Sequence, residues 1–254
     1  MKNHLGFILL MAPGAALVLV LVPAPQAQAQ AHPTTRLEFE VASIKPPNPT
    51  GDLGTNMSTD GGTLRMHNAS LKFCILVAYG VQNYLTEGGP KWIDTDRYEI
   101  TAKAAGSFQP DQPARMLQTL LADRFKLTVH RETKQRPVYM LALAKNGAKL
   151  HLSDPDGESF LGRRGRQGPL IGQKASMSGL ASTLSTIMER KVLNQTGLTG
   201  AFDFKLEFAS ADAIDSPLPS LFTALQEQLG LKLEAGSGPV EVLVVDHAEK
   251  PVQD

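Results

Sequence analysis

The sequence predicts an α+β protein made of two tandem strand–helix–strand–helix–hairpin repeats related by pseudo-twofold symmetry. Strict two-residue alternation marks one-sided strands: Phe202, Phe204, Leu206 and Phe208 alternate with Asp203, Lys205 and Glu207. Helical spacing marks amphipathic helices, as at Met116, Leu117, Leu120 and Leu121. A third observation ties the two halves together. Tyr98 answers Phe202, Ile100 answers Phe204, Leu117 answers Leu221, Leu121 answers Leu225, Leu127 answers Leu231 and Val129 answers Leu233, all at one constant offset. Random apolar patterning does not hold one offset through strand, helix and strand, so duplication is the expected cause.

The elements follow in order. Residues 1–31 read as a secretory signal peptide: Lys2 and His4, an apolar run from Leu5 to Val22, then Ala-x-Ala sites with cleavage after Ala29 or Ala31. Export and a periplasmic or extracellular location follow as expectations. The first repeat spans 37–150. It opens on the alternating strand Leu37–Ile44, stopped by Pro46, Pro47 and Pro49, and leads into a loop from Thr50 to Gly62. Thr63 to His67 is a short strand, and Ser70 suits the N-cap of a helix from Leu71 to Gly80. Val81 to Asp96 reads as irregular. Tyr98 to Lys103 is a one-sided strand, and Asp111 with Pro113 opens the next helix. After it, Phe125, Leu127 and Val129 begin a hairpin, with Arg131 to Arg136 as its turn and Val138 to Ala144 as its second strand.

Residues 151–174, polar and rich in Gly and Arg, read as a connection. The second repeat, 175–254, starts with a helix capped by Ser176 or Ser178, in which Leu180, Leu184, Ile187 and Met188 share a face. It closes on Ser220–Asp246, read as a capped helix and a tight two-strand hairpin whose turn falls in the Gly/Ser/Pro stretch before Val240.

Composition limits the partners. The 254-residue chain carries 25 basic and 25 acidic side chains. A neutral balance supplies no general attraction for nucleic acid or an anionic bilayer, so no nucleic-acid partner is expected, and contact with a membrane is expected only through the export signal. The single Cys74 sits in an apolar helix, which predicts a buried, inert thiol and no internal disulfide.

Four strings carry a resemblance: Phe39-Glu40-Val41-Ala42-Ser43-Ile44-Lys45-Pro46; Leu121-Ala122-Asp123-Arg124-Phe125-Lys126-Leu127 followed by Val129-His130-Arg131-Glu132; Thr196-Gly197-Leu198-Thr199-Gly200 with Phe202-Asp203-Phe204; and Val240-Glu241-Val242-Leu243-Val244-Val245-Asp246. On these the chain resembles the DUF3738 family of exported proteins from soil Acidobacteria. The resemblance implies an exported protein, in some relatives a module joined to a membrane-bound sensor-peptidase, with no catalytic residues to carry over. In patterning alone, each half is also similar to the short N-terminal domains of secretins and TonB-dependent receptors, which implies a periplasmic interaction module.

Candidate site residues are few. His130, on the outward face of its strand, has the chemistry of a general base, but no nucleophile motif accompanies it. Trp92, Asp94 and Arg97 stand in a Gly/Pro-bounded stretch and offer an aromatic anchor and charge. Arg136 closes the expected turn. No His/Cys/Asp/Glu spacing suits a metal and no phosphate or dinucleotide loop is present, so neither metal nor cofactor is expected. The expected function is a non-catalytic module binding a protein, peptide or small molecule through a sheet edge or the cleft between halves. A secreted hydrolase using His130 or the Trp92–Arg97 loop, and an extracytoplasmic sensor domain, are the alternatives. The repeated positions are apolar, so ligand contacts are expected where the halves differ: 81–97, 131–136 and 162–168.

Overall fold

The computed structural model describes residues 36–47, 54–154, 156–165, 168–210 and 215–252. The export signal read at 1–31 lies outside the described residues. The first half of the chain forms β1 (Val41–Lys45), β2 (Asn56–Asp60), β3 (Thr63–Ser70), α1 (Leu71–Tyr79), β4 (Thr86–Gly88), α2 (Trp92–Thr95), β5 (Arg97–Lys103), α3 (Gln112–Arg124) and β6 (Thr128–Leu143). The second half forms β7 (His151–Leu152), β8 (Phe160–Arg163), β9 (Leu170–Ala175), α4 (Met177–Met188), β10 (Val192–Asn194), β11 (Phe202–Leu206), α5 (Leu221–Ala224) and β12 (Leu231–His247). The fold class is α+β, as the patterning predicts.

Local chemistry explains most of the helix ends. The Oγ of Ser70 accepts from the N–H of Phe73, and Ser176 does the same for Gly179, each satisfying an amide that the first helical turn leaves without a partner. α1 ends on Gly80 in the left-handed conformation. α5 is only four residues long and widens into a π-helical turn over Leu225–Leu229, closed by the left-handed Gly230. A Cβ at Gly230 would lie 1.9 Å from the carbonyl oxygen of Gly147, so close backbone approach as well as φ requires glycine there.

Three four-stranded sheets result. The first has the order β1-β5-β3-β2 and the third β7-β11-β9-β8. The second, β10-β6-β12-β4, lies between them in the chain's connectivity. Its centre is a ribbon of β6 and β12, antiparallel from Leu231 opposite Leu143 to Val245 opposite Val129. β10 adds in parallel to β6, and β4 adds in parallel to β12.

The ribbon corrects both expected hairpins. Arg131–Arg136 is no turn but the middle of β6, and the Gly236-Ser237-Gly238-Pro239 stretch runs extended through β12. The reason lies in which way the backbone points. The N–H of Tyr139 donates outward to Lys191, away from β12. Since outward and inward groups alternate along an antiparallel strand, Pro137, opposite Ser237, and Pro239, opposite Gln135, both occupy outward positions where no ladder bond to the partner is lost. Neither Gly236 nor Gly238 has a positive φ; they are small because Met140 and Leu193 pack over them, with Cβ clearances of 2.5 and 2.9 Å. The expected loop at 50–62 likewise contains strand β2, and the stretch read as a polar connection contains β7, β8 and the start of β9.

Two main cores sit at the ends of the ribbon. The first gathers Leu71, Cys74 and Ile75 of α1, Leu117 and Leu121 of α3, Tyr98 and Ile100 of β5, together with Leu243 and Val245 of β12. The second gathers Leu180 and Leu184 of α4, Phe202, Phe204 and Leu206 of β11, Leu225 and Leu231, together with Leu141 of β6. Each long strand therefore begins in one core and ends in the other. Val138, Val240 and Val242 form a small third cluster at the ribbon's middle, packed by Leu85 and Leu193.

Candidate functional site

Over that third cluster the two halves leave a groove of about 190 Å³. Its floor is Val240 and Val242 of β12, with Arg136 and Pro137 of β6 beside them. One wall is the 3₁₀ turn Asn83–Leu85 leading into β4, which supplies Tyr84, Leu85 and Glu87. The other is the turn between α4 and β10, Glu189 to Lys191. Glu189 takes the left-handed position that ends α4, with φ 47°, and thereby turns the chain to present Arg190 and Lys191.

The electrostatics divide into a closed cluster and an open one. Glu87 binds Lys134 at 3.1 Å and also pairs with Arg136, and Lys134 reaches Glu132 at 3.1 Å. These groups tie β4 to β6 across β12 and satisfy one another. Arg190 instead lays its guanidinium 5.0 Å from the centre of the Tyr139 ring, a cation–π contact, and Tyr139 in turn meets Phe222 edge to face at 5.5 Å. Among the described residues neither Arg190 nor Lys191 has a carboxylate partner. The phenol of Tyr84 is raised above the ordinary tyrosine value by burial.

Of the residues expected to bind, only Arg136 lies in this groove. His130 is half-exposed further along β6, with Nδ1 at 2.8 Å from Asp246 and Nε2 at 3.9 Å from Glu132. Trp92, Asp94 and Arg97 belong to the far end of the first lobe. Trp92 packs on the first core with Lys250 over its ring at 5.8 Å, and Asp94 pairs with Lys72 at 3.1 Å. Arg97 borders a shallow recess with Pro46, Pro47 and Lys250. The structure does not bring these five residues together.

Cys74 is fully buried among α1, Met66 and the first core, and burial pushes its thiol up to about 12, far from thiolate chemistry at neutral pH. No group of three or more His, Cys, Asp or Glu among the described residues is placed to hold a metal. Tyr84 and Glu87 fall in the segment 81–97 where contacts are expected, though neither stands out in it, whereas Arg190 and Lys191 lie outside the expected segments. Glu189-Arg190-Lys191 reads as an ordinary polar helix end, and nothing in its spacing shows that β10 carries it to the ribbon.

The fold is α+β, with the β6–β12 ribbon joining two cores and a groove lying over its middle. The model of the family described as a protein of unknown function (DUF3738) matches residues 72–248, well over half the chain, and the chain belongs to this family. No match was found among curated proteins or solved structures.

Proposed function

We propose that the chain is an exported binding or interaction module, built from two copies of one α+β unit, whose ligand seats in the groove where the two copies meet. The carrying observation is that this groove is walled by the corresponding turn of each half over a floor shared by both long strands. Duplication is supported by exchange of labels: replacing β1, β2, β3, β4, β5 and β6 by β7, β8, β9, β10, β11 and β12 turns the first sheet's order into the third's, and reverses the second sheet onto itself. Sites between related halves suit ligands because neither half covers the surface alone.

The hydrolase alternative draws on one contact, the His130–Asp246 pair, which orients an imidazole as a base would be oriented. Among the described residues no hydroxyl or thiol is hydrogen-bonded to that imidazole. The test is amide-resolved NMR of the full chain titrated with a panel of short peptides and amphipathic small molecules, alongside turnover of chromogenic esters. Saturable shifts confined to 84–87, 136–137 and 189–191, with no turnover, are expected. Ester turnover abolished by His130→Ala, or a panel that leaves the groove unperturbed, would sink the binding-module reading.

A further inference from the structure

We propose that the outward face of the first sheet, away from the groove, is a second binding site, which takes a tetrahedral oxyanion, phosphate or sulfate, on Arg65. A recess of about 360 Å³ opens there over β2, β3 and β5. Alternation buries Leu64, Met66, Ile100 and Ala102 and turns Arg65, His67, Glu99 and Thr101 the other way, with Asn56 and Ser58 of β2 beside them. The register sets Arg65 between two hydroxyl residues, opposite Ser58 on β2 and opposite Thr101 on β5. No carboxylate stands across from it. Arg131, Lys205 and Lys232, on other strands, pair with Glu241, Glu207 and Glu234. Among the described residues the side chains of Asn56, Ser58, Arg65 and Thr101 make no hydrogen bond or ion pair. Glu99, the one carboxylate lining the recess, is engaged by the Asn68 amide at Oε1 and by His67 at Oε2, which leaves Arg65 uncompensated. Adjacent strands lie about 4.8 Å apart, so the guanidinium and the hydroxyl on each side of it fall within reach of one ion seated over β3. The guanidinium fork uses two oxygens of such an ion, and the hydroxyls and the Asn56 amide need further ones. A carboxylate has only two; phosphate and sulfate have four, as free ions or as the head of an ester. The third sheet lacks this arrangement, since Ile171 stands opposite Lys205 where Arg65 stands opposite Thr101.

The experiment titrates the full chain with sulfate, inorganic phosphate, methyl phosphate and acetate at neutral pH, following backbone amides, with ionic strength matched so that screening is equal throughout. Sulfate and the phosphates are expected to give saturable shifts at 56–58, 65–67 and 99–101 and none at 171–173, with acetate about tenfold weaker. Arg65→Gln lowers the affinity about tenfold, at an unchanged urea midpoint because the side chain is exposed and unpartnered. Thr101→Val, which removes one hydroxyl, lowers it about threefold. Lys103→Gln, two residues further along the same face, lowers it less than about twofold, as an exposed charge outside the site should. Methyl phosphate bound more tightly than inorganic phosphate identifies an ester head as the ligand, and the reverse order identifies the free ion. Acetate binding as tightly as sulfate, equal losses from Arg65→Gln and Lys103→Gln, or no shift at 56–58, 65–67 and 99–101 overturns the assignment. The groove amides at 84–87 and 189–191 are untouched in every case, so the two sites are tested separately.

Discussion

The main-chain N–H of Asn68 donates to Oε1 of Glu99 at 3.1 Å, while Oε2 of the same carboxylate meets Nδ1 of His67 at 2.9 Å. Asn68 has φ 45°, in the left-handed region, at an irregularity of the β3–β5 register between Met66 and Ala69. Glu99 thus supplies an acceptor to an amide at the bulge. Lys174, φ 50°, repeats the arrangement two residues before the cap Ser176, its N–H donating to Oδ1 of Asp203 at 2.8 Å. In both halves the bulge sets the strand end so that a serine falls at the helix N-cap.

Removing the Glu99 clamp is expected to destabilise the first lobe. Glu99→Ala removes the carboxylate's bonds to the Asn68 amide and to His67 and costs about 1–2 kcal/mol, read as a lower urea midpoint at unchanged slope. Glu99→Gln keeps an acceptor oxygen and recovers a large part of the loss. Equal stability of Glu99→Ala and the unsubstituted chain would show that water replaces the carboxylate at no cost.

Asp203 gives the second clamp a pH dependence. Its carboxyl is held below the ordinary value of 3.8 chiefly by the Ser153 hydroxyl and then by the Lys174 amide. A carboxyl depressed in the folded state contributes stability that is complete above its unfolded pKa and is lost as pH falls through its folded one, because the unfolded chain binds the proton first. The window is therefore below about pH 4. Asp203 is solvent-exposed, so the effect is a change of slope in acid unfolding and not a collapse. Asp203→Asn is expected to flatten the fall in stability between roughly pH 4 and pH 2; an unchanged slope there would remove the clamp from the account.

Pro137 and Pro239 guard the ribbon's open edges. Among the described residues β10 covers only Tyr139–Leu141 of β6 and β4 only Leu243–Val245 of β12, so no further strand pairs with the outward row on either side along the middle. An outward proline costs no ladder bond and denies an incoming strand a donor. Pro137→Thr with Pro239→Thr should change thermal stability little but promote concentration-dependent association in sedimentation. Val138→Pro, one position along and pointing inward, should cost about 3 kcal/mol or more. Similar losses from both changes would refute the alternation.

These prolines also show what was legible in the sequence. Elements set by local chemistry could be read: the Ser70 and Ser176 caps, the one-sided strands β5 and β11, and the apolar face of α3 at Met116, Leu117, Leu120 and Leu121. The ribbon could not, because the partner of Gly238 is Arg136, about a hundred residues away, and a Gly-Ser-Gly-Pro string has the composition of a turn. Local composition says where a chain can bend; only the distant partner decides whether it does. The candidate site suffered for the same reason. Arg136 and the segment holding Glu87 could be singled out locally, whereas Arg190 and Lys191 come beside them only through the parallel addition of β10.

The crossing of the long strands makes a prediction about cooperativity. Leu141 of β6 is fully buried in the second core, and Leu243 of β12 is 1% exposed in the first, so each half anchors a strand in the other's core. Truncating either to alanine leaves a cavity and costs about 2–5 kcal/mol. If the cores were independent, each loss would stay in its own core. Trp92, the chain's single tryptophan, packs on the first core and reports that core alone by fluorescence, whereas far-UV circular dichroism averages both. Leu141→Ala, made in the second core, is therefore expected to lower the urea midpoint seen by Trp92 as much as that seen by dichroism, in one coincident transition. A Trp92 transition that stays in place while dichroism becomes biphasic would mean that the ribbon links the cores without coupling them. Coincidence would identify the β6–β12 ladder, with both ends buried, as the element through which neither half unfolds alone.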